Sequence, residues 1–318
     1  MRLGIIGTSP GNGHPFSFSA IINGYEEKGF IQAGWSVILD YLRVREPADF
    51  GFPDVTVSHA WTQDEATTAA LCQACRIKHA VREPEEMIGK VDAVIVARDD
   101  APSHWPLAQP FLNAKLPVFI DKPLTLAQNE LTTFWPYLCE GRVMSCSGLR
   151  FAIELDAITS KLSTIGKLQL VRGTTLNDWE KYGVHLLDAA LRTTSLVPVS
   201  VRRLPATHDS LLIGCHEGTP IQIDALGDIS KLFLLEIIGE YGRLSADLLD
   251  NFSAFKNTIH AFIKMVRTGR PSIPAIDTWR SISTIIAGHE TTTVGTATMV
   301  PPPPPDSLAP QHSRCGSI

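Results

Sequence analysis

Apolar residues in the first 123 positions form short runs that alternate with longer stretches in which apolar and polar residues mix at helical spacing. The runs lack the alternation typical of a half-exposed strand, so they predict strands that are buried on both faces. Strands that alternate with helices indicate βαβ units and a parallel sheet with right-handed crossovers. The predicted strands cover residues 3–6, 55–58, 79–81, 93–97 and 118–120.

The pattern changes after residue 124, where several strands follow one another without helices between them. This order predicts a second domain with a large, mostly antiparallel sheet, and it makes the whole chain an α/β protein. We therefore predict domains at 1–123 and 124–300, followed by a proline-rich tail at 301–318. The predicted strands are 142–148, 167–175, 199–204, 210–215, 221–226 and 231–238, and the predicted helices are 126–139, 153–163, 253–268 and 277–290.

About fifty residues separate the first two predicted strands, which is more than one crossover helix requires. The extra segment, residues 34–53, is expected to lie over the edge or the mouth of the parallel sheet. Two roles stay open for it. The segment is either a packing elaboration or a lid over a ligand site.

Composition narrows the class of protein. The 318 residues include 28 basic and 33 acidic side chains, a net charge of -5, and no long basic run, which argues against a nucleic-acid partner. No apolar run approaches the ~18 residues of a membrane span, and the first residues lack the pattern of a signal peptide. We expect a soluble, cytoplasmic protein with no membrane partner. Cys72 and Cys75 have metal-ligand spacing, but no second pair follows, so we predict ordinary packing and no metal site.

The first candidate site is a glycine-rich loop directly after the first strand. Glycines lack the Cβ that would keep a pyrophosphate away from backbone N–H groups, so this position predicts dinucleotide binding. The loop is longer than the G-x-G-x-x-G pattern, and a tight turn without any ligand is the alternative. The predicted cofactor-binding residues here are Gly7, Thr8, Ser9, Gly11, Asn12, Gly13 and His14.

Two further segments carry chemistry in a fixed order. The first of them contains two strands: strand 93–97 leads into Arg98-Asp-Asp-Ala-Pro-Ser-His104, and strand 118–120 leads into Asp121-Lys122-Pro123. Later in the chain, Tyr182-Gly-Val-His185-Leu-Leu-Asp188 begins a predicted helix. A lysine at the carboxyl edge of a parallel sheet can stabilise a developing alkoxide, and a histidine can accept a hydroxyl proton near neutral pH.

With these three segments in this order, the chain resembles the Gfo/Idh/MocA family of NAD(P)-dependent oxidoreductases. The resemblance implies a Rossmann domain followed by an α/β domain whose open sheet joins subunits, so we expect a homodimer or homotetramer. It implies NAD or NADP as cofactor and hydride transfer at a hydroxyl-bearing carbon of a sugar, a cyclitol or a nucleotide-linked sugar. It also implies that His104 and Lys122 contact the cofactor and that the bond into Pro123 is cis.

The chain departs from the family pattern beside the predicted base. Many members have an aspartate four residues before the histidine, whereas this chain has Lys181 there and Tyr182 next to it. The predicted catalytic residues are therefore Lys122 and His185, with Tyr182 as an alternative base. Predicted substrate contacts are Arg150, Trp179, Lys181 and Asp188, because arginine binds phosphate and tryptophan stacks on sugar faces.

The choice between NAD and NADP stays open, because the second strand is not followed at once by an acid for the ribose hydroxyls. Thr62 and Glu65 have the spacing of a helix capping box, so Glu65 is expected to bind backbone N–H groups. Two other functions also stay open. They are an NAD-dependent glycoside hydrolase of the same fold and a dinucleotide sensor without catalysis.

Overall fold

The computed structural model describes residues 1–305, and these form two compact units. The first unit contains Met1–Asp121, Glu140–Ser145 and Ile259–Ser272. The second contains Lys122–Cys139, Cys146–Thr258 and residues 273–305. The domain limits expected from the sequence stay a prediction, and residues 306–318 of the predicted tail lie outside the described range.

A parallel sheet forms the centre of the first unit, as predicted, and it has six strands, one more than the sequence analysis placed in it. Its spatial order is β3-β2-β1-β4-β5-β6, so the order reverses between β1 and β4. Ligands of such sheets bind outside the carboxyl ends of the strands at this reversal. The strands are β1 (Arg2–Ile6), β2 (Thr56–Trp61), β3 (His79–Ala80), β4 (Ala93–Val96), β5 (Val118–Ile120) and β6 (Val143–Ser145).

Strand β6 belongs to this first sheet, although the sequence analysis assigned its segment to the second domain. Val143 pairs in parallel register with Val118 of β5. The assignment was wrong because the segment 118–145 is one more strand-helix-strand crossover, which a boundary at residue 123 divides.

The long connection between β1 and β2 contains three helices. They are α1 (His14–Asn23), α2 (Glu27–Gln32) and α3 (Ser36–Arg43), and α3 buries Ile38, Leu39 and Leu42. A Cβ at Gly13 would lie 2.4 Å from Ile38 Cδ1 and 2.7 Å from the Trp35 ring. The segment 34–53 therefore packs directly on the glycine loop, which is the packing role left open above.

Helix α4 (Glu65–Ala74) begins differently from the prediction. Asp64 is its N-cap residue and accepts a hydrogen bond from the Thr67 N–H at 2.7 Å. The Thr62 hydroxyl instead donates to the Asp64 carbonyl. The predicted capping box of Thr62 and Glu65 was wrong, because the side chain of Asp64, and not that of Thr62, caps the helix. The first unit also contains α5 (His104–Asn113).

The second unit contains a seven-stranded sheet in the order β12-β11-β7-β10-β9-β8-β13. Only the β7 and β10 neighbours run parallel, which confirms the mostly antiparallel prediction. Strands β12 and β13 were not predicted. The strands are β7 (Leu168–Thr175), β8 (Pro198–Arg203), β9 (Asp209–Cys215), β10 (Ile221–Ala225), β11 (Phe233–Gly239), β12 (Gly242–Asp247) and β13 (Ala297–Met299).

Five helices complete the described chain, and α8 packs against β7, β10 and β11. No helix within residues 1–305 is both long and apolar enough to cross a membrane. The first eight residues of α9 belong to the second unit and the remainder to the first. These helices are α6 (Gln128–Cys139), α7 (Glu154–Lys161), α8 (Val184–Thr194), α9 (Asn251–Thr268) and α10 (Ala275–Glu290).

Trp179 begins a π-helical turn, Trp179–Gly183, that leads into α8. Its side chain is 1% exposed, and its indole N–H donates to the Ile285 carbonyl at 2.9 Å. A Cβ at Gly288 would lie 2.3 Å from the indole nitrogen. Trp179 is therefore packed in the core, where it fixes the entry into α8, and its contact with a sugar stays a prediction.

We predict that Trp179→Ala lowers the free energy of unfolding by about 3–5 kcal/mol, because it leaves a large cavity and removes a buried hydrogen bond. Urea unfolding monitored by circular dichroism measures the change. Trp61→Ala is the matched control, since Trp61 is partly exposed and donates to the Arg82 carbonyl. Equal losses for both variants would contradict the core role of Trp179.

Candidate functional site

The glycine loop of the first unit lies at the carboxyl end of β1 and is closed by a buried carboxylate. The Ser9 hydroxyl donates to Asp99 Oδ1 at 2.5 Å, and the Asp99 N–H donates to the same hydroxyl at 3.2 Å. Asp99 follows β4, so these bonds fix the loop at the reversal of strand order. The backbone of Gly11 has a φ of +77°, a conformation that favours glycine.

Asp121 binds the later residues of the glycine loop, Asn12 and His14. It follows β5, is buried, and accepts hydrogen bonds from Asn12 Nδ2 at 3.1 Å and from His14 Nδ1 at 2.5 Å. Asn12 Oδ1 in turn accepts the His14 N–H at 2.9 Å. The structure thus brings together Asn12, His14 and Asp121, three residues from the first and second predicted segments.

A cavity of about 660 Å³ lies beside the loop. Gln63 borders it, and its amide makes two hydrogen bonds with the Thr8 backbone, at 3.0 and 2.7 Å. No acidic side chain, lysine or arginine occurs in the described lining. The lining residues are Thr8, Ser9, Pro10, Gly11, Phe16, Gln32, Ala33, Trp35, Gln63, Ala66, Thr67 and Ala70.

These residues fit a dinucleotide. A Cβ at Gly11 would meet no atom within 4 Å, so the backbone there faces open space. The neighbouring cavity has the volume of a typical cofactor or small-molecule site. Both features lie where the strand order reverses, the position at which dinucleotides bind in this architecture.

The side chain of His104 lies in the interior of the first unit. Its side chain is 0% exposed, and its Nε2 is 2.9 Å from the Arg98 carbonyl oxygen. His104 therefore holds the loop after β4, and its contact with the cofactor stays a prediction. The sequence analysis missed Arg98, whose Cδ would lie 2.6 Å from a Cβ at Gly7. The sequence feature that could have pointed to Arg98 is a basic residue directly after a buried strand.

The second unit brings together the three predicted catalytic side chains. Lys122 is 4% exposed, and its ammonium donates to the Lys181 carbonyl at 3.2 Å. The same ammonium lies 5.2 Å from the centre of the Tyr182 ring. The bond from Lys122 to Pro123 is cis, as expected from the resemblance.

Aromatic packing fixes Tyr182 and His185. The Tyr182 ring stacks on Phe233, with centres 6.2 Å apart and an interplanar angle of 11°. The centre of the His185 ring is 5.5 Å from that of Tyr182 and 5.2 Å from that of Phe233, in edge-to-face geometry. The sequence analysis missed Phe233, because an aromatic residue at the start of a strand carries no specific signal.

Ser147 is the second residue that sequence reasoning missed here. It is fully buried, and its hydroxyl lies 2.7 Å from His185 Nδ1. The Leu149 N–H donates to that hydroxyl at 3.0 Å, and the Ser147 N–H donates to Asp188 Oδ2 at 2.7 Å. A loop after β6 therefore orients the imidazole, although 38 residues separate the two side chains.

Asp188 and Arg150 belong to the same buried network. Arg150 Nη2 lies 2.6 Å from Asp277 Oδ2, and Nη1 lies 3.9 Å from Asp188 Oδ1. Burial raises the pKa of Asp188, opposed by the Arg150 charge and the hydrogen bond from Ser147. The two residues support the start of α8 from inside, and their contact with substrate stays a prediction. Lys181 is only partly buried, and its substrate contact stays a prediction.

Residues 33–142 match a protein-family model described as oxidoreductase family, NAD-binding Rossmann fold. The match begins after the glycine loop and ends before β6. No relative is found among curated proteins. The family match therefore covers most of the strands and helices of the first unit.

Solved structures resemble almost the whole chain. A putative myo-inositol dehydrogenase from Sinorhizobium meliloti 1021 is 14% identical over 95% of this chain and 100% of its own, with a TM-score of 0.72. Myo-inositol 2-dehydrogenase from Lactobacillus plantarum is 14% identical over 95% and 99%, with a TM-score of 0.75.

A third similar structure is myo-inositol dehydrogenase from Lactobacillus casei in complex with NAD(H) and myo-inositol. It is 14% identical over 97% of this chain and 99% of its own, with a TM-score of 0.75. At this level of identity the three structures show a shared fold. The family match adds that residues 33–142, about a third of the chain, are similar to the NAD-binding Rossmann fold of this oxidoreductase family.

Proposed function

We propose that this protein is an NAD-dependent dehydrogenase that transfers a hydride between NAD and a hydroxyl-bearing carbon of a cyclitol or a sugar. The observation that carries the proposal is the cluster of Lys122, Tyr182 and His185, with His185 held by the Ser147 hydroxyl. Similar structures that are inositol dehydrogenases support the substrate class.

The residues that would hold the dinucleotide are those of the glycine loop and the cavity beside it. When bound, the nicotinamide supplies the acceptor or donor of the hydride. The described lining of the cavity contains no lysine or arginine that could neutralise a 2′-phosphate. This favours NAD over NADP, because a buried phosphate without a cation is costly.

His185 is the proposed base. An alcohol loses its hydride readily only as its hydroxyl proton leaves, so a base within hydrogen-bond reach of that oxygen is required. Because Ser147 occupies Nδ1, the proton would be taken up at Nε2. The Ser147 hydroxyl then accepts a hydrogen bond from Nδ1–H, which leaves the lone pair of neutral His185 on Nε2.

Lys122 is proposed to donate a hydrogen bond to the same substrate oxygen. Its charge stabilises the alkoxide that develops as the proton leaves. The Lys181 carbonyl and the Tyr182 ring hold the ammonium from two directions, so its position is set before substrate binds. Tyr182 stays the alternative base. Lys181 is less suited, because an ammonium cannot accept a proton.

Assembly and location complete the proposal. Half-buried apolar residues, such as Leu170, Leu212 and Leu234, occur along strands of the second sheet. They support a homodimer or homotetramer joined through that sheet, and the molar mass measured by light scattering, against 34.8 kDa for one chain, is the check. A cytoplasmic location fits the composition of the chain and a nicotinamide-dependent reaction.

We predict that the purified enzyme reduces NAD in the presence of a cyclitol or sugar, with myo-inositol and scyllo-inositol as the first substrates tested. Absorbance of the reduced nicotinamide measures the rate, and NADP should be at least about tenfold less effective because the cavity lacks a cation. Preference for NADP would contradict the cofactor assignment. Release of an aglycone without net reduction would indicate the glycoside hydrolase, and binding without turnover of any substrate would indicate the sensor.

We predict that Gly11→Val weakens NAD binding by about tenfold or more, because its side chain would fill the open space above the loop. Gly218→Val is the matched control, since Gly218 also has a positive φ and open space but lies in a turn of the second unit. Both variants carry the same backbone strain. Equal affinity of the two variants, measured by fluorescence titration, would exclude the pyrophosphate from this loop.

We predict that Lys122→Ala and His185→Asn each lower kcat by about 10²-fold or more, with cofactor affinity retained. Ser147→Ala should lower kcat less and change the pH profile, since it releases the imidazole without removing it. Lys167→Ala, which removes an exposed lysine of the second unit, is the control. Near-normal turnover of both Lys122→Ala and His185→Asn would refute the catalytic assignment.

A further inference from the structure

A second cavity in the first unit is lined mainly by basic side chains. It has a volume of about 450 Å³, and its basic lining residues are Arg2, His59, His79 and Lys90, here called the basic cleft. Arg2 begins β1, whereas the glycine loop follows the last residue of that strand. The cleft and the cavity beside the glycine loop share no lining residue.

The short connection between β3 and β4 explains why the cleft is open. Parallel sheets are normally covered by helices on both faces. This connection contains only one 3-10 turn, Pro84–Met87, whose Met87 packs on Gly4. No helix of this connection covers the neighbouring strands here, and their residues line a cavity. His59 and His79 are register partners in β2 and β3, and their rings stack with centres 4.7 Å apart.

The electrostatic environment of the cleft is cationic. His59 is 8% exposed, and its Nδ1 lies 2.9 Å from the Ser58 hydroxyl. Burial lowers the pKa of His59, and the nearby charges of His79, Lys90 and Arg2 lower it further. Every charged group that shifts this pKa is therefore basic.

One acid, Glu86, also lines the cavity, and it offsets only part of the positive charge of the cleft. Glu86 uses Oε1 to accept the backbone N–H groups of Arg82 and Glu83, each at 3.1 Å. No ion pair in the described part of the chain includes the side chain of Arg2, His79 or Lys90. The basic lining residues outnumber this one acid, and cationic groups gathered around a cavity are typical of an anion site.

We propose that the basic cleft binds a small phosphate-bearing anion, with Arg2 and Lys90 supplying charge and the stacked imidazoles supplying hydrogen bonds. The cavity has room for a ligand of at least the size of a diphosphate. A diphosphate can reach two cations at once, so it binds more tightly than orthophosphate. The site is separate from the proposed cofactor cavity and does not depend on the proposed dehydrogenase activity.

Isothermal titration of the full-length protein with inorganic pyrophosphate, with and without NADH, tests the site. The double variant His79→Gln/Lys90→Met removes one imidazole and one charge from the cleft. The double variant His260→Gln/Lys264→Met makes the same changes on α9 of the first unit and is the control. We expect the cleft variant to weaken pyrophosphate binding by about tenfold or more and the control to bind like the wild type.

Sulfate provides a second test, because it stays a dianion between pH 6 and pH 8. An anion beside His59 favours the protonated imidazole, so sulfate should bind the wild type more tightly at pH 6 than at pH 8, and the variant His59→Gln should lose this gain. NADH should leave pyrophosphate binding at the cleft unchanged. The proposal is overturned if pyrophosphate does not bind at millimolar concentration, if NADH displaces it, or if both double variants bind it equally.

Discussion

The hydrogen bonds of Ser147 determine the geometry of the candidate catalytic cluster. Its backbone N–H binds Asp188, and its hydroxyl binds His185 one turn earlier on the same helix. Two bonds from one residue fix both the position of α8 and the rotation of the imidazole. Because Ser147, Asp188 and Arg150 are buried, an unmade bond among them would be costly, and the network holds one arrangement.

Hydrogen bonds to buried side chains also fix the glycine loop of the first unit. Asp121 holds Asn12 and His14, and Asp99 holds Ser9, so two buried carboxylates fix a loop that is longer than the usual dinucleotide motif. The loop does not have the compact G-x-G-x-x-G spacing, and side-chain hydrogen bonds hold it in place. Packing of Gly13 on Ile38 and Trp35 adds a third support from the segment 34–53.

Sequence reasoning predicted the parallel and antiparallel sheets, and it selected Lys122, Tyr182 and His185, which the structure brings together, because hydrophobic runs and motif order are local signals. It failed where the deciding contact joins distant positions. Ser147 and Phe233 reach the cluster only through the fold, and the indole of Trp179 packs against Gly288. The sequence likewise could not predict the buried partners of His104 and Arg150, since motif position does not show what a polar side chain contacts in the fold.

The replacement of an acid by Lys181 changes the charge beside the proposed base. A carboxylate next to an imidazole would stabilise its protonated form, whereas the Ser147 hydroxyl orients the ring without adding charge. In this network the carboxylate of Asp188 accepts the Ser147 N–H and lies 3.9 Å from Arg150. Ser147 therefore lies between this carboxylate and the imidazole. In the proposed reaction, Lys122 would then act on the developing alkoxide with little opposing charge. Orientation by a neutral hydroxyl is thus compatible with base catalysis, provided that the cation stabilises the oxygen.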